Sequence, residues 1–289
     1  MKNRITRFAS IVLITLFSVF SSSQVYSSVF WELKSGNSTI YLLGSIHMGN
    51  ESMYPLDTAI ENSFERADYL VTEIALDNID ASSLKDGMYY PKTDSLPLHI
   101  ADTTYSKVLD YFSDKGMTRK MIRKMKPAAI VMTMMNIEYM KAGLSPFLGI
   151  DMYFTNKLGK KPLLQLETAE SQMDVLNKMG DNPDEFINAT LQELPNMPAQ
   201  VDTLIRAWKS GELASLEKLV TEQMKAESAS EEEFTDELLH KRNYAMYDKI
   251  KEYMTSDSKY FVIVGAAHLL GETGIIELLK KDGYQPIRK

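Results

Sequence analysis

The sequence predicts an α+β protein in which a mixed β-sheet is flanked by many helices. Apolar stretches typical of strands lie near both ends of the chain, at residues 29–43 and 260–264. Most of the chain between them carries apolar residues at helical spacing. Near the carboxyl end, a strand, a loop and an amphipathic helix follow one another directly. This order of elements is typical of sheets that are covered by helices.

The first 27 residues have the pattern of a secretory signal peptide rather than of a folded element. Basic residues at the start precede an apolar run at 11–20, and Val25-Tyr26-Ser27 fits the small-residue rule for cleavage. The run is about half of the roughly 20 apolar residues that a membrane span needs, so an uncleaved anchor is the less favoured alternative. We therefore predict a periplasmic or secreted protein with one mature domain, residues 28–289, and no stable membrane span.

Composition excludes two classes of function. The chain has a net charge of −7, and because residues 1–27 carry three basic and no acidic side chains, the mature part has −10. Phosphate binding needs clustered Lys and Arg, so we predict no nucleic-acid partner. The chain has no Cys, which rules out disulfides and thiolate metal sites. Any metal must therefore be held by His, carboxylates, carbonyls or water.

The elements follow in order along the chain. We predict a β-hairpin of residues 29–33 and 38–43, because apolar positions flank a Gly-Asn turn. A helix over 55–66 and a strand over 69–76, with Glu73 inside it, come next. The further predicted elements are helices over 104–113, 118–125, 127–141 and 149–158, a strand over 163–167, a helix capped by Thr168, mostly helix over 181–255 with breaks near 195–198 and 226–234, a strand over 260–264, and a helix over 272–281 closed by Gly283.

The segment from Met125 to Met140 is unusually rich in methionine. Methionine fills irregular core gaps, so core packing is the favoured interpretation. A soft groove for an apolar peptide or a porphyrin is the alternative.

His47 and His268 are the main candidates for chemistry. Each stands just past the end of an apolar strand and three residues after a Gly. Functional side chains often lie in loops at strand ends, because the rigid sheet fixes the positions of these loops. The two imidazoles can meet only if their strands lie side by side, which we therefore expect. His99 and His240 lack this setting.

Acidic residues complete the candidate set. If Glu73 is buried, its charge needs a metal, a cation or hydrogen bonds; an edge strand with Glu73 facing water is the alternative. Glu167 is a carboxylate at the end of the predicted strand over 163–167. Asp151 lies near a helix start, where its charge could do no more than interact favourably with the helix dipole. Two imidazoles and a carboxylate suit a divalent transition metal with an open position. On the residues alone, Arg242 and Asn243 indicate a solvated helix face.

Seven segments, in order, resemble the TraB/PrgY/GumN family, which includes the TIKI metalloproteases. The family's usual acidic residue before Arg-Asn is Lys241 here, a departure that puts the role of that position in doubt. The segments are Tyr-Leu-Leu-Gly-Ser-Ile-His at 41–47, Tyr-Pro-Leu at 54–56, Val-Thr-Glu at 71–73, Gly-Ile-Asp-Met-Tyr-Phe at 149–154, Leu-Glu-Thr-Ala-Glu-Ser-Gln at 166–172, Arg-Asn at 242–243 and Val-Gly-Ala-Ala-His-Leu-Leu-Gly at 264–271.

The resemblance implies a fold like that of erythromycin esterases and haem-binding ChaN proteins, with an active centre at the two Gly-x-x-His motifs and Glu73. TIKI proteins are metal-dependent and cleave secreted Wnt ligands. We therefore predict a metallopeptidase that acts on exported peptides or proteins and uses Mn²⁺, Co²⁺ or Zn²⁺. The predicted metal ligands are His47, His268 and Glu73, and the predicted catalytic residues are Glu73, Arg242, Glu167, Asp151 and Asn243.

Two alternatives stay open on the sequence. The first is a protein that binds haem or a peptide pheromone without catalysis, as suggested by the ChaN-like and PrgY-like relatives. The second is a metal-independent esterase with His as general base. The absence of a Gly-x-Ser-x-Gly motif argues against a serine hydrolase.

Overall fold

A six-stranded mixed sheet forms the centre of the protein in the computed structural model, which describes residues 29–75, 81–223, 225–226 and 228–289. The strand order across the sheet is β4-β3-β5-β2-β1-β6. The strands are β1 (Phe30–Ser35), β2 (Ser38–Ser45), β3 (Tyr69–Thr72), β4 (Leu163–Gln165), β5 (Lys259–Gly265) and β6 (Ile287–Arg288). This arrangement confirms the α+β fold class.

The predicted hairpin is confirmed at one side of the sheet. Strands β1 and β2 pair antiparallel from Phe30↔Leu43 to Ser35↔Ser38. Gly36 has a φ of +56° in the turn, a conformation that glycine adopts without steric cost. The short β6 pairs antiparallel with the outer edge of β1, and this last strand was not predicted.

The parallel centre of the sheet brings distant parts of the chain together. Strand β5 lies between β2 and β3 and is parallel to both. Its pairing with β2 runs from Thr39↔Lys259 to Ser45↔Gly265, so the two strands end side by side. The expectation that the strands before His47 and His268 are neighbours is therefore confirmed. All of β2 is buried, as is typical of strands covered on both faces.

Helices occupy most of the remaining described chain. Thr168 caps α7 through a capping box with Ser171, as predicted. The α-helices are α1 (Thr58–Arg66), α2 (Ala81–Met88), α3 (Asp102–Phe112), α4 (Arg119–Ile122), α5 (Pro127–Lys141), α6 (Ile150–Asn156), α7 (Ala169–Asn177), α8 (Pro183–Glu193), α9 (Met197–Ser210), α10 (Leu213–Gln223), α11 (Ala229–Thr235), α12 (Arg242–Tyr253), α13 (Ala266–Leu269) and α14 (Ile275–Lys281).

Two clusters of buried apolar side chains support these elements. One surrounds the sheet and includes the packed rings of Phe64, Phe154 and Phe261. The other is made mainly by helices and includes Met125 and Met134, which are 3% and 0% exposed. The core interpretation of the methionine-rich segment is correct for these two residues.

Several predicted boundaries are wrong. Helix α1 starts at Thr58 rather than at residue 55, because the Asp57 side chain caps it by accepting from the Ala59 amide. Strand β3 ends at Thr72, so Glu73 follows the strand instead of lying inside it; residue 76 of the predicted strand lies outside the described residues. Helix α11 occupies most of the region predicted as a break at 226–234.

A π-helix, Asp236–Lys241, also went unpredicted and leads directly into α12. Within the described ranges, no helix combines the length and the apolarity needed to cross a membrane. The predicted signal peptide, residues 1–27, lies outside those ranges.

Candidate active site

The carboxyl ends of three parallel strands bring His47, Glu73 and His268 together beside Gly265. A Cβ atom built on Gly265 would lie 3.3 Å from Glu73 Oε1, 3.6 Å from His47 Nε2 and 3.6 Å from His268 Cδ2. Three side chains that follow the ends of β2, β3 and β5 thus border one small space, and Gly265 has no side chain to fill it. The structure therefore brings these three residues together, as expected.

Glu73 is a buried carboxylate with several donors, which excludes the alternative of an edge strand with Glu73 facing water. The residue is 5% exposed. Its Oε1 accepts from the Gly265 amide at 2.6 Å. Its Oε2 accepts from Arg242 Nη2 at 2.8 Å and from Gln172 Nε2 at 2.9 Å.

These contacts keep Glu73 ionised. Burial by itself would raise the pKa of Glu73. The charges of His268, which is protonated only in the acid range, of His47 and of Arg242, together with the Gly265 amide, outweigh burial and lower the pKa to about 2. Of these neighbours, the Arg242 guanidinium is the one that is charged at every accessible pH. Glu73 is therefore an anion near neutral pH.

Arg242 links two carboxylates and is not on a solvated helix face, so that interpretation is wrong. Its Nε donates to the two oxygens of Glu167 at 3.0 and 3.1 Å, and its Nη1 donates to the Leu238 carbonyl at 3.0 Å. The side chains of Arg242, Glu73 and Glu167 are 13%, 6% and 7% exposed. Two nearly buried carboxylates therefore share one guanidinium.

His268 is held in one orientation by Asn243. Asn243 Nδ2 donates to the Thr273 carbonyl at 3.0 Å, which leaves its Oδ1 to accept from His268 Nδ1 at 2.6 Å. Burial lowers the pKa of His268 to about 4, against the opposing effect of Glu73. The imidazole is therefore neutral near pH 7. Its Nε2 atom, which carries a lone pair in this tautomer, lies 3.8 Å from Glu73 Oε1. Asn243 is fully buried, so the solvated-face interpretation is wrong for it too.

His47 is held by Asp151 in a similar way but near the surface. His47 Nδ1 lies 2.9 Å from Asp151 Oδ2, and Ser45 Oγ donates to Asp151 Oδ1 at 3.1 Å. The charge of Asp151 raises the pKa of His47 well above its usual value. Because 64% of the His47 side chain is exposed, solvent screens part of this attraction. Asp151 therefore does more than complement the dipole of α6.

The donor set is of the kind that binds a divalent transition metal. In both histidines Nδ1 faces an oxygen acceptor, as is typical of metal-binding histidines. His268 Nε2 lies 3.8 Å from Glu73 Oε1, and His47 Nε2 borders the same space beside Gly265. His47, His268 and Glu73 are the residues that would hold the ion. As the side chains stand in the described part of the chain, no group of three or more His, Cys, Asp or Glu residues could hold a metal ion.

Sequence reasoning missed several residues that shape the site. Gln172 donates to Glu73 and also to Glu167 Oε2 at 3.1 Å. Gln172 lies five positions after Glu167, in the first turn of α7. A polar residue at this spacing could have indicated that its side chain reaches Glu167. Trp208 Nε1 donates to the Gly44 carbonyl at 2.7 Å, and no local pattern pointed to this contact.

The other two histidines lie outside the site, as expected. His99 Nε2 pairs with Asp94 at 2.8 Å and its ring stacks on Tyr90. His240 Nδ1 lies 3.4 Å from Asp236 Oδ1, one turn away along the π-helix.

The fold and the site define an α+β protein whose strand ends carry a centre of two histidines, two glutamates and an arginine. The chain belongs to the TraB/PrgY/gumN family, whose model matches residues 29–288. It is 25% identical over 247 residues to the uncharacterized protein YbaP of Escherichia coli (strain K12), covering 85% of this chain and 89% of the relative. An uncharacterized protein of Treponema pallidum (strain Nichols) is 18% identical over 267 residues, covering 88% and 80%. No solved structure matches the chain.

Proposed function

We propose that this protein is a divalent-metal-dependent hydrolase, and specifically a peptidase that acts on exported peptides or proteins. The observation that carries the proposal is the convergence of His47 Nε2, His268 and Glu73 Oε1 on the space beside Gly265. Two imidazoles and a carboxylate are ligands that catalytic metal sites use, with a position left for substrate or water.

The charges around this space support a bound cation. Glu73 and Glu167 carry two negative charges, while Arg242 supplies one positive charge to both. Burying an uncompensated carboxylate is costly. The pKa of His47 is raised by Asp151, so that a proton on His47 meets part of this negative charge in the absence of metal. A divalent ion next to Glu73 Oε1 would take the place of that proton and would bring one more positive charge.

The side chains have separate parts in the proposed reaction. A bound divalent ion would supply Lewis acidity, which polarises a substrate carbonyl and makes water a better nucleophile near neutral pH. Glu73, as an anion, can hold the ion or accept a proton. Arg242 uses three of its five N–H donors on Glu73, Glu167 and the Leu238 carbonyl. Its main part is therefore to orient Glu73, and the remaining donors can stabilise a developing oxyanion.

The substrate class rests on three considerations. The predicted signal peptide would place the protein among exported peptides and proteins. The family resemblance to the TIKI proteases favours an amide bond as the target. The 64% exposure of His47 leaves one side of the centre open to an extended chain.

A peptide-library digest tests the proposal. The purified protein is stripped with a chelator, and cleavage of the library is followed by mass spectrometry before and after addition of Mn²⁺, Co²⁺ or Zn²⁺. We expect cleavage to disappear on stripping and to return with at least one ion. Ester cleavage that survives exhaustive stripping would support the metal-independent esterase instead, and a Soret absorption band in the native protein would support haem binding.

A further inference from the structure

We propose that residues 145–151 act as a clasp that positions His47, with Gly149 and Asp151 as its positioning residues. The inference rests on the proposed role of His47 as a metal ligand. It identifies the segment that determines the position of the His47 ring.

The backbone of the clasp is joined to the loop that carries His47. The amides of Gly49 and Ser145 each donate to the other's carbonyl, at 3.0 and 2.7 Å. The Ile150 amide donates to the Ile46 carbonyl at 3.1 Å. Backbone hydrogen bonds on both sides of His47 therefore attach its loop to a segment about a hundred positions further along the chain.

Two glycines permit this close approach. A Cβ atom on Gly149 would lie 2.1 Å from the His47 carbonyl oxygen, and one on Gly49 would lie 2.1 Å from the Leu148 carbonyl oxygen. Gly149 has a φ of −67°, which any residue can adopt. Glycine is thus needed here for space between two backbones and not for its conformational freedom.

Side chains complete the clasp. Helix α6 starts directly after Gly149 and places Asp151 in its first turn, where the carboxylate holds His47 Nδ1 and the Ser45 hydroxyl. The Tyr54 hydroxyl donates to the Leu148 carbonyl at 2.8 Å, and its ring packs 4.8 Å from that of Tyr153. The loop that follows His47 is therefore fixed to the clasp at a second place.

The two halves of the site are consequently built differently. His268 is buried and is held by Asn243 inside the fold. His47 is largely exposed, so core packing does not fix its ring, and an exposed side chain has rotamer freedom to lose on binding an ion. The clasp supplies the orientation that burial supplies for His268.

The test compares Gly149→Ala with Gly180→Ala, a matched control where an added Cβ meets nothing within 4 Å. The chain has four histidines, so their ring C–H signals can be followed separately by NMR in the metal-free protein, with His47→Gln for assignment. In Gly149→Ala we expect the His47 signal to move while those of His99 and His240 stay in place. The affinity for Co²⁺ should fall by about tenfold or more, the range seen when groups that orient metal ligands are removed. Gly180→Ala should change neither quantity.

Asp151→Asn provides a second variant that adds no volume against the backbone. It should also move the His47 signal and weaken Co²⁺ binding. Unchanged His47 signals in both folded variants, or a Co²⁺ affinity equal to that of the wild type, would overturn the clasp. If the wild-type protein binds no Co²⁺ at all, the proposed function fails, while the His47 signals still decide whether the clasp positions the ring.

Discussion

Arg242 Nη2 lies 2.8 Å from Glu73 Oε2, and this nearly buried ion pair joins the start of helix α12 to the end of strand β3. The pair is one part of a larger network, because Arg242 also binds Glu167 and Gln172 bridges both carboxylates. Glu73 is thereby fixed with its other oxygen beside the two histidines. The proposed roles of Glu73 as metal ligand or proton acceptor depend on this placement.

Glu73→Gln should abolish peptide cleavage while leaving a folded protein. The amide keeps the shape of the side chain but removes the charge that holds an ion or accepts a proton. Because Arg242 keeps Glu167 as a partner, the change should cost only about 1–3 kcal/mol of unfolding free energy, measured by urea denaturation.

Glu170→Gln is the matched control for this change, since Glu170 is exposed on the neighbouring helix α7. It should retain both activity and stability. A Glu73→Gln protein that cleaves peptides at the wild-type rate, with lowered stability only, would assign Glu73 a purely structural part.

His47→Ala and His268→Ala should each abolish cleavage but differ in stability. His268→Ala leaves the buried Asn243 Oδ1 without its donor, at a cost of about 1–3 kcal/mol. His47→Ala removes an exposed side chain and its pair with Asp151, and should cost about 1 kcal/mol or less. Thermal denaturation and mass-spectrometric assays measure the two effects, with His99→Ala as an active control. Retained cleavage in either variant would remove that histidine from the mechanism.

Metal affinity should increase with pH. Asp151 raises the pKa of His47, to about 9, and a proton on Nε2 competes with an ion for the same lone pair. A raised pKa also means that the His47–Asp151 pair contributes stability below the ordinary pKa of about 6.5. That contribution is lost as the pH rises toward 9.

Asp151→Asn should therefore move the NMR titration of the His47 ring to lower pH, and the pH dependence of Co²⁺ binding should move with it. The His99 and His240 titrations serve as internal references. A His47 titration that is identical in wild type and Asp151→Asn would contradict the proposed electrostatic pairing.

The native mature protein should begin near Ser28. Basic residues, a short apolar run and Val25-Tyr26-Ser27 predict removal of residues 1–27 during export. Amino-terminal sequencing of the protein from fractionated cells checks this prediction. An intact Met1 on a cytoplasmic species would show that the segment is not a cleaved export signal.

The sequence was sufficient to predict the strands that carry the two histidines and their placement side by side. Apolar runs mark buried strands, and a polar residue just past such a run lies at a strand end. The local pattern could not place Glu73 beyond β3. That boundary depends on the Leu166 and Glu167 amides, which donate to the Glu73 carbonyl from almost a hundred positions away.

The burial of Arg242 and Asn243 could not be predicted either, because it also depends on contacts with residues distant in the sequence. On α12 they have charged and polar neighbours, so helical periodicity alone places them on the surface. Only contacts with the loop between β4 and α7 and with the loop before α14 turn them inward, through Glu167 for Arg242 and the Thr273 carbonyl for Asn243.

The most direct test of a metal centre at His47, His268 and Glu73 is a Co²⁺ titration of the metal-free protein, followed by visible absorption, together with the double variant His47→Ala/His268→Ala. We expect the wild type to bind one Co²⁺ per chain with absorption bands of histidine-ligated cobalt, and peptide cleavage to rise in step with binding. The double variant should show neither. Full cleavage without metal, or unaltered Co²⁺ binding and cleavage in the double variant, would contradict a metal centre at His47, His268 and Glu73.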